Sequence, residues 1–311
     1  MRRWAAALLL VVACGDDSAP PAEDAAVDMG VDTAPPPMSV LFGPCVQDSQ
    51  CPGAGAFCRT GADGFPQGQC TLPCEDRGPC DDGVVFNHCL PDPDNPDRNI
   101  CQQSCLNAQD CGRENYICVG RTDMRDGICI GFCDDDADCG EGAECNVHAG
   151  TCVAAGTVPT EGARTGEGCM RDDDCLSGAC ILEERDLPTG WNGGYCLGAC
   201  RIPAGYNTNT FYSGDAYPTE QCPDNNVCYP ADSYARGNEG LCLTACETDD
   251  DCRASEGYFC DRMVSLTSGD TKTFTNGICF PIDCSMRDCP TGYACEGYGS
   301  GTQRRFLCVR E

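Results

Sequence analysis

One apolar run opens the chain, and after it cysteine takes over the apolar pattern. Trp4 to Val12 are nine apolar residues behind the positive start Met1-Arg2-Arg3. Gly15 to Pro44 then carries Asp16, Asp17, Glu23, Asp24, Asp28 and Asp32 among Ala and Pro, with no basic residue. From Cys45 to Cys308 no helical or strand period is sustained. Instead thirty-two cysteines fall into eight successive groups of four, separated by short polar loops. Self-similarity at a period of about thirty residues marks a repeat array. The pattern predicts a small disulfide-rich array: eight four-cysteine units of short β-hairpins and loops, with little helix.

The thirty-third cysteine, Cys14, stands apart. A charged start, a short apolar run and then Val11-Val12-Ala13-Cys14 are the parts of an export signal, because nine apolar residues fall far short of the about twenty that span a bilayer. The Val-Val-Ala-Cys end resembles the lipobox of bacterial lipoproteins. That resemblance implies cleavage after residue 13, lipidation of Cys14, and a protein tethered to the cell envelope at the outer membrane or cell surface. Residues 14–44 are expected to be a disordered acidic stalk, with too little apolar surface to offset the entropy of ordering.

Within a unit, five residues usually separate the first and second cysteines, and a variable loop precedes the fourth. Three residues then lead to the next unit. Units 1–4 occupy residues 45–152 and units 5–8 residues 169–308. Between them lies Val153 to Gly168, read as a flexible linker, so the expected form is a semi-rigid rod with one joint, each unit touching its immediate neighbours. Gly stands two residues before the fourth cysteine at Gly68, Gly127, Gly150, Gly194, Gly240 and Gly277, where a tight turn is expected to need positive φ. Units of this size lack a sufficient hydrophobic core. Each bridge contributes roughly 3 kcal/mol in the chain-entropy model, so covalent closure is expected to substitute for a core. Four cysteines allow three pairings, and spacing alone leaves these open.

The spacing resembles the opening of EGF-like modules and, more distantly, the amino-terminal cysteine-rich region of Dickkopf proteins. The chain departs from EGF in lacking a cysteine one residue after the fourth. Gly166-Glu167-Gly168-Cys169 followed by Asp172-Asp173-Asp174-Cys175 resembles repeats in cysteine-rich lipoproteins of large-genome Gram-negative bacteria. The EGF likeness implies first-to-third and second-to-fourth pairing, which gives Cys45–Cys58, Cys51–Cys70, Cys169–Cys180 and Cys175–Cys196. No activity is carried over by these resemblances.

Metal and catalytic chemistry find little footing. No two cysteines are separated by only two residues, so zinc-knuckle and thioredoxin spacings are absent. The two histidines, His88 and His148, are read as exposed loop residues. Cofactors are expected to be none, with one weak calcium option at the acidic runs: Asp134, Asp136 and Asp138, then Asp172 and Asp174, then Asp249 and Asp251. The first three have the alternate spacing of an EF-hand start, yet Cys139 stands where its Gly belongs and Cys145 where its Glu belongs. The favoured use of these Asp side chains is to satisfy turn N–H groups. Nucleophile elbows, phosphate loops and His-Glu-x-x-His are missing, so the chain is read as non-enzymatic.

The full sequence has a net charge of −29, and removing the leader takes away two arginines. Nucleic acid is excluded as a partner by repulsion. The partners expected are the membrane, through the lipid anchor, and an envelope or extracellular protein or glycan. One insertion breaks the rhythm: unit 6 carries Arg201 to Gln221 between its first two cysteines, with Tyr206, Phe211, Tyr212 and Tyr217 among small polar residues. That composition suits an adaptable recognition loop and equally a local aromatic mini-core. The function expected is a lipid-anchored interaction or spacer module. Alternatives are a purely structural stalk and a disulfide-rich inhibitor of extracellular hydrolases.

Overall fold

The computed structural model describes residues 40–311, apart from 82–86, 93–94, 120–126, 183–189, 203–215, 231–236, 266–270 and 299–304. Residues Pro37–Glu311 form one compact unit. It is a disulfide-rich array of small antiparallel strand pairs. The single α-helix among the described residues is the one-turn Asp136–Cys139.

Every unit is built on one hairpin in which the third and fourth cysteines stand directly opposite each other: Cys58 and Cys70, Cys118 and Cys129, Cys228 and Cys242, and so on to Cys295 and Cys308. They do not bond to one another. The third reaches back to the first and the fourth to the second, as in Cys45–Cys58 with Cys51–Cys70 and Cys169–Cys180 with Cys175–Cys196. All sixteen bridges follow this rule, through the last pair Cys284–Cys295 and Cys289–Cys308. A direct cross-strand bridge would close only the hairpin. Crossed bridges instead pin the preceding loop across it and leave little chain free in the unfolded state. In unit 1 the sulfurs of Cys45, Cys51 and Cys70 lie within 4.8 Å of one another, so the two bridges stack as the unit's own core.

Among the described residues, units 2, 3, 6 and 7 add a third strand carrying the first cysteine, whereas units 1, 4, 5 and 8 have two strands. The order two, three, three, two occurs twice. Side chains follow the same four-unit period. In the first half, Arg113 donates to the carbonyls of Gly68 (2.9 Å) and Pro66 (2.7 Å), and the Tyr116 hydroxyl also donates to Pro66. In the second, Arg253 donates to Gly194 (2.7 Å) and Asn192 (2.9 Å), and the Tyr258 hydroxyl to Asn192. Each guanidinium covers its tyrosine ring, at 4.2 and 4.9 Å. The two halves are therefore built alike, unit 3 latched on unit 1 and unit 7 on unit 5.

These latches correct the expectation of a line of immediate neighbours. Gly61 of unit 1 lies against the Cys139 carbonyl of unit 4, and Asn192 of unit 5 donates to the Cys308 carbonyl of unit 8. Units 3 and 6 are joined through Asn238 and Cys118, which exchange two hydrogen bonds. The expected linker has two parts. Residues 154–157 and 159–162 are exposed, whereas Ala163 and Gly166 bond to the backbone of unit 5 and Arg164 pairs with Asp224 at 2.9 Å.

The glycines before the fourth cysteines divide into two kinds. Gly68, Gly150 and Gly194 have φ of +67°, +64° and +69°, as a turn demands. Gly127, Gly240 and Gly277 sit instead in the middle strand opposite the first cysteine. There a Cβ would lie 2.6 Å from the sulfur of Cys200 at Gly240, and 2.6 Å from that of Cys260 at Gly277. In units 3, 6 and 7 the reason for glycine is room for the bridge, not backbone sign, whereas the three-stranded unit 2 has Asn99 opposite its first cysteine.

The apolar core also departs from expectation. In units 1, 3 and 4 the buried clusters are mostly cystine. Units 5–7 share a continuous aromatic and aliphatic core of Tyr195, Ile202, Tyr217, Val227, Leu243, Tyr258, Phe274 and Ile278, with Trp191 and Phe280 packed on it. A buried ion cluster ties units 1 and 2: Asp92, fully buried, takes Arg59 at 3.3 Å and Arg98 at 2.6 Å. His88 is likewise buried, in the strand His88–Asp92, because the residue preceding a hairpin cysteine is held in the ladder, opposite Gln102. It is not an exposed loop histidine.

Two outcomes follow from this construction. Gly240→Ala places a methyl group against two cystine sulfurs and should lower stability by about 1–3 kcal/mol, the range for overpacking, as read by guanidinium unfolding under oxidising conditions. When the full chain is reduced and digested, units 1–4 should disappear before units 5–8, because only the latter retain a shared apolar core; simultaneous loss of both halves, timed by mass spectrometry, would contradict it.

Candidate functional site

Most residues singled out from the sequence divide between those outside the described region and those with structural work to do. Cys14, Tyr206, Phe211 and Tyr212 lie outside the described residues. Tyr217 is 3% exposed, stacked on Phe274 with ring centroids 4.1 Å apart, and its backbone N–H donates to Asn276. It belongs to the mini-core and presents no contact surface.

The acidic runs have a repeated task. The Asp three residues before the second cysteine accepts the N–H of the third cysteine: Asp48 from Cys58, Asp136 from Cys145, Asp172 from Cys180 and Asp249 from Cys260, at 2.8–2.9 Å. The acid one residue before the second cysteine accepts the N–H just after the first: Asp138 from Asp134, Asp174 from Met170 and Asp251 from Glu247, each at 2.8 Å. These bonds fasten the loop to the hairpin at both ends. The Met170 N–H and Arg171 hold the Asp174 carboxyl below the usual range, and the Thr248 and Glu247 N–H groups do so for Asp251. Groups lowered in this way stabilise the fold above the ordinary carboxylate pKa, and that contribution fades as pH falls through the lowered value. Asp134 differs: burial raises its carboxyl, against the pull of Arg201, with which it pairs.

Asp134 leads to the feature that sequence reasoning did not locate. A cleft of about 830 Å³ opens where units 3, 4 and 6 meet. Its apolar lining is Tyr116, Phe132 and Ile202, with Val147 40% exposed. Arg201 crosses one side, donating to the Glu114 carbonyl and to Asp134. Around it stand Glu114, Asp134, Asp135, Asp138 and Glu220. Their commitments differ. Asp135 and Asp138 cap the turn of unit 4 and Asp134 holds Arg201. The carboxylates of Glu114 and Glu220 are exposed and make no hydrogen bond or ion pair among the described residues.

Two amide side chains complete the cleft. Asn238 is 8% exposed, and its backbone N, backbone O and Oδ1 are all bonded, to Cys118 and Ile202, so Nδ2 is its one polar atom without a partner. Gln221 has its Oε1 buried and unbonded. The Gln221 Oε1 acceptor is buried and unsatisfied, whereas the Asn238 Nδ2 donor is open to solvent, and the two suit a ligand that brings both a hydrogen-bond donor and an acceptor. The sequence held one signal of this place: Arg201 and Gln221 are the first and last residues of the insertion that breaks the unit-6 rhythm, and both line the cleft.

Among the groups whose ligand atoms converge are cysteine sulfurs such as those of Cys45, Cys51 and Cys70, already joined in bridges. No helix among the described residues is long and apolar enough to cross a membrane. Comparison with protein families, curated proteins and solved structures finds no match to this chain.

Tyr116, under the cleft, is a reporter of its integrity. Burial pushes its hydroxyl up to about 12 from the model-compound value of 10.0, opposed by Arg113. A group raised on folding stabilises the fold below its unfolded pKa, and that stability is lost as pH rises through the folded value. Alkaline titration by ultraviolet absorbance should show a tyrosine ionising near pH 12 that vanishes in Tyr116→Phe, with unfolding of the unit 1–3 junction over the same interval.

Proposed function

We propose that this chain is a lipid-anchored, non-enzymatic interaction module of a bacterial cell envelope, holding a partner in the cleft between units 3, 4 and 6. The single observation that carries the reading is that cleft. It is a concavity of the size proteins use for ligands, formed where two similar halves meet, and furnished with uncommitted carboxylates and unpartnered amide atoms. The crossed disulfides support it, because a rigid wall keeps a binding site preorganised and reduces the entropy lost on association.

The amino-terminal sequence supplies the setting. With Cys14 acylated, two or three chains, at about 0.8 kcal/mol for each buried CH₂, hold the protein on a membrane where one chain would not. The acidic segment after Cys14 would space the units from the lipid surface as a stalk that ends earlier than residue 44, since Phe42 packs in the cystine cluster of unit 2 and bonds to Cys70, and the strongly negative charge keeps the units off anionic headgroups.

The reading is tested in the native host with the full-length chain. A fatty-acid analogue should label the protein, and Cys14→Ser should abolish both labelling and membrane retention. Cross-linked envelope complexes should contain a partner that is lost when Val147→Trp fills the cleft. Membrane retention of the Ser variant would overturn the anchor, and a complex indifferent to Val147→Trp would overturn the cleft as the interaction site.

A further inference from the structure

We infer that the cleft takes an extended peptide segment bearing lysine or arginine, an inference that rests on the reading of the cleft as the interaction site. Electrostatics select the charge. Of the acidic groups around the cleft, three are engaged within the fold: Asp134 with Arg201, and Asp135 and Asp138 with turn N–H groups. Glu114 from unit 3 and Glu220 from unit 6 remain, on two different units of the lining, exposed and unpaired. Among the described residues no cation pairs with them, whereas elsewhere arginines sit on acids: Arg59 and Arg98 on Asp92, Arg164 on Asp224, Arg287 on Asp249. An anionic ligand would meet five carboxylates, and the two arginines of the lining are engaged within the fold, Arg201 with Asp134 and the Glu114 carbonyl and Arg113 with the carbonyls of Gly68 and Pro66.

The amides select the backbone. Asn238 offers an unpartnered donor from a side chain more than nine-tenths buried, and Gln221 an unpartnered buried acceptor. A peptide unit presents one carbonyl and one N–H, which answers both; a polyamine or a metal ion offers no acceptor for Asn238. Val147, the exposed apolar side chain of the lining, suits the alkyl stem of a lysine or arginine, which packs on apolar surface while the charged head stays wet. A neutral glycan would satisfy the amides but leave Glu114 and Glu220 unused. It would also find Tyr116 and Phe132 buried, at 2% and 3% exposure, and not open for stacking.

The test uses the mature chain with its disulfides intact and fluorescence anisotropy of a labelled, acetylated and amidated hexapeptide in which three lysines alternate with glycines. The matched glutamate and serine peptides, spermidine and a tetramer of N-acetylglucosamine serve as competitors. The lysine peptide should bind, and binding should weaken about tenfold in Glu114→Gln/Glu220→Gln, two screened charge pairs at about 0.7 kcal/mol each. A control, Glu141→Gln/Glu161→Gln, removes the same charge from exposed positions off the cleft and should leave binding unchanged. Equal weakening in the control would mean attraction to net charge alone and would overturn the site. Displacement by spermidine at the peptide's own concentration would overturn the peptide backbone as a determinant, and binding of the glycan or the glutamate peptide would overturn the charge assignment. If the lysine peptide fails while Val147→Trp still abolishes the envelope complex, the basic-peptide inference falls and the interaction reading stands; if both fail, both fall.

Discussion

The rest of the structure depends on the crossing of two bridges over one hairpin. Because the third and fourth cysteines face each other across the strands and each bonds backwards, every unit is a loop clamped onto a two-stranded ladder, with cystine where a larger domain would have leucine and valine. Separations between bonded cysteines run from 11 to 28 residues. That range places each bridge's chain-entropy contribution near 3 kcal/mol. Each unit is thus held by closure, which in units 1, 3 and 4 releases the remaining side chains from the task of forming a core, whereas units 5–7 add a shared one. This explains why so many polar residues can be buried for specific contacts between units.

Those contacts make one body from eight small pieces. Arginine recurs as the agent: Arg113, Arg253, Arg59 and Arg201 each reach a carbonyl or carboxylate of another unit, several while lying over an aromatic ring. A planar fork of donors suits unpaired carbonyls at hairpin turns, and its apolar faces pack without further desolvation. Breaking such a buried pair leaves an uncompensated group, so these few residues carry more of the tertiary arrangement than their number suggests. Asp92 is the sharpest case, enclosed completely between two guanidinium groups.

How much of this was legible follows from what each feature depends on. Unit number, hairpin architecture and the position of the glycines are properties of local spacing, and the sequence displays them. The pairing of the bridges came through the likeness to EGF modules and holds throughout. The reason for Gly240 and Gly277 was not legible, because it lies in a third strand whose presence no local spacing announces. The inter-unit latches were hidden for a related reason. Arg113 and its acceptor Gly68 are 45 residues apart, and Asn238 and Cys118 are 120 apart. A single arginine among acidic residues gives no sign of its partner at such range. The recurrence of Arg one or two residues after the second cysteine and of Tyr two residues before the third, in units 3 and 7, was the mark available.

The cleft illustrates what duplication leaves open. Within each half, unit 3 or 7 is latched to unit 1 or 5 by the same arginine and tyrosine, so those surfaces are covered twice over. The face of units 3 and 4 that turns toward unit 6 belongs to the contact between halves, and Arg201 and Gln221, the first and last residues of the insertion, lie at that seam. A surface between halves is free of the constraint that every unit share it, because changing it leaves the repeated latches intact. It is therefore where an array of near-identical staples can acquire an individual site without weakening its fold. Glu114, Glu220, Gln221 and Asn238 have that character: all four stand on the rigid frame that the bridges fix, yet none supplies a half-cystine to it.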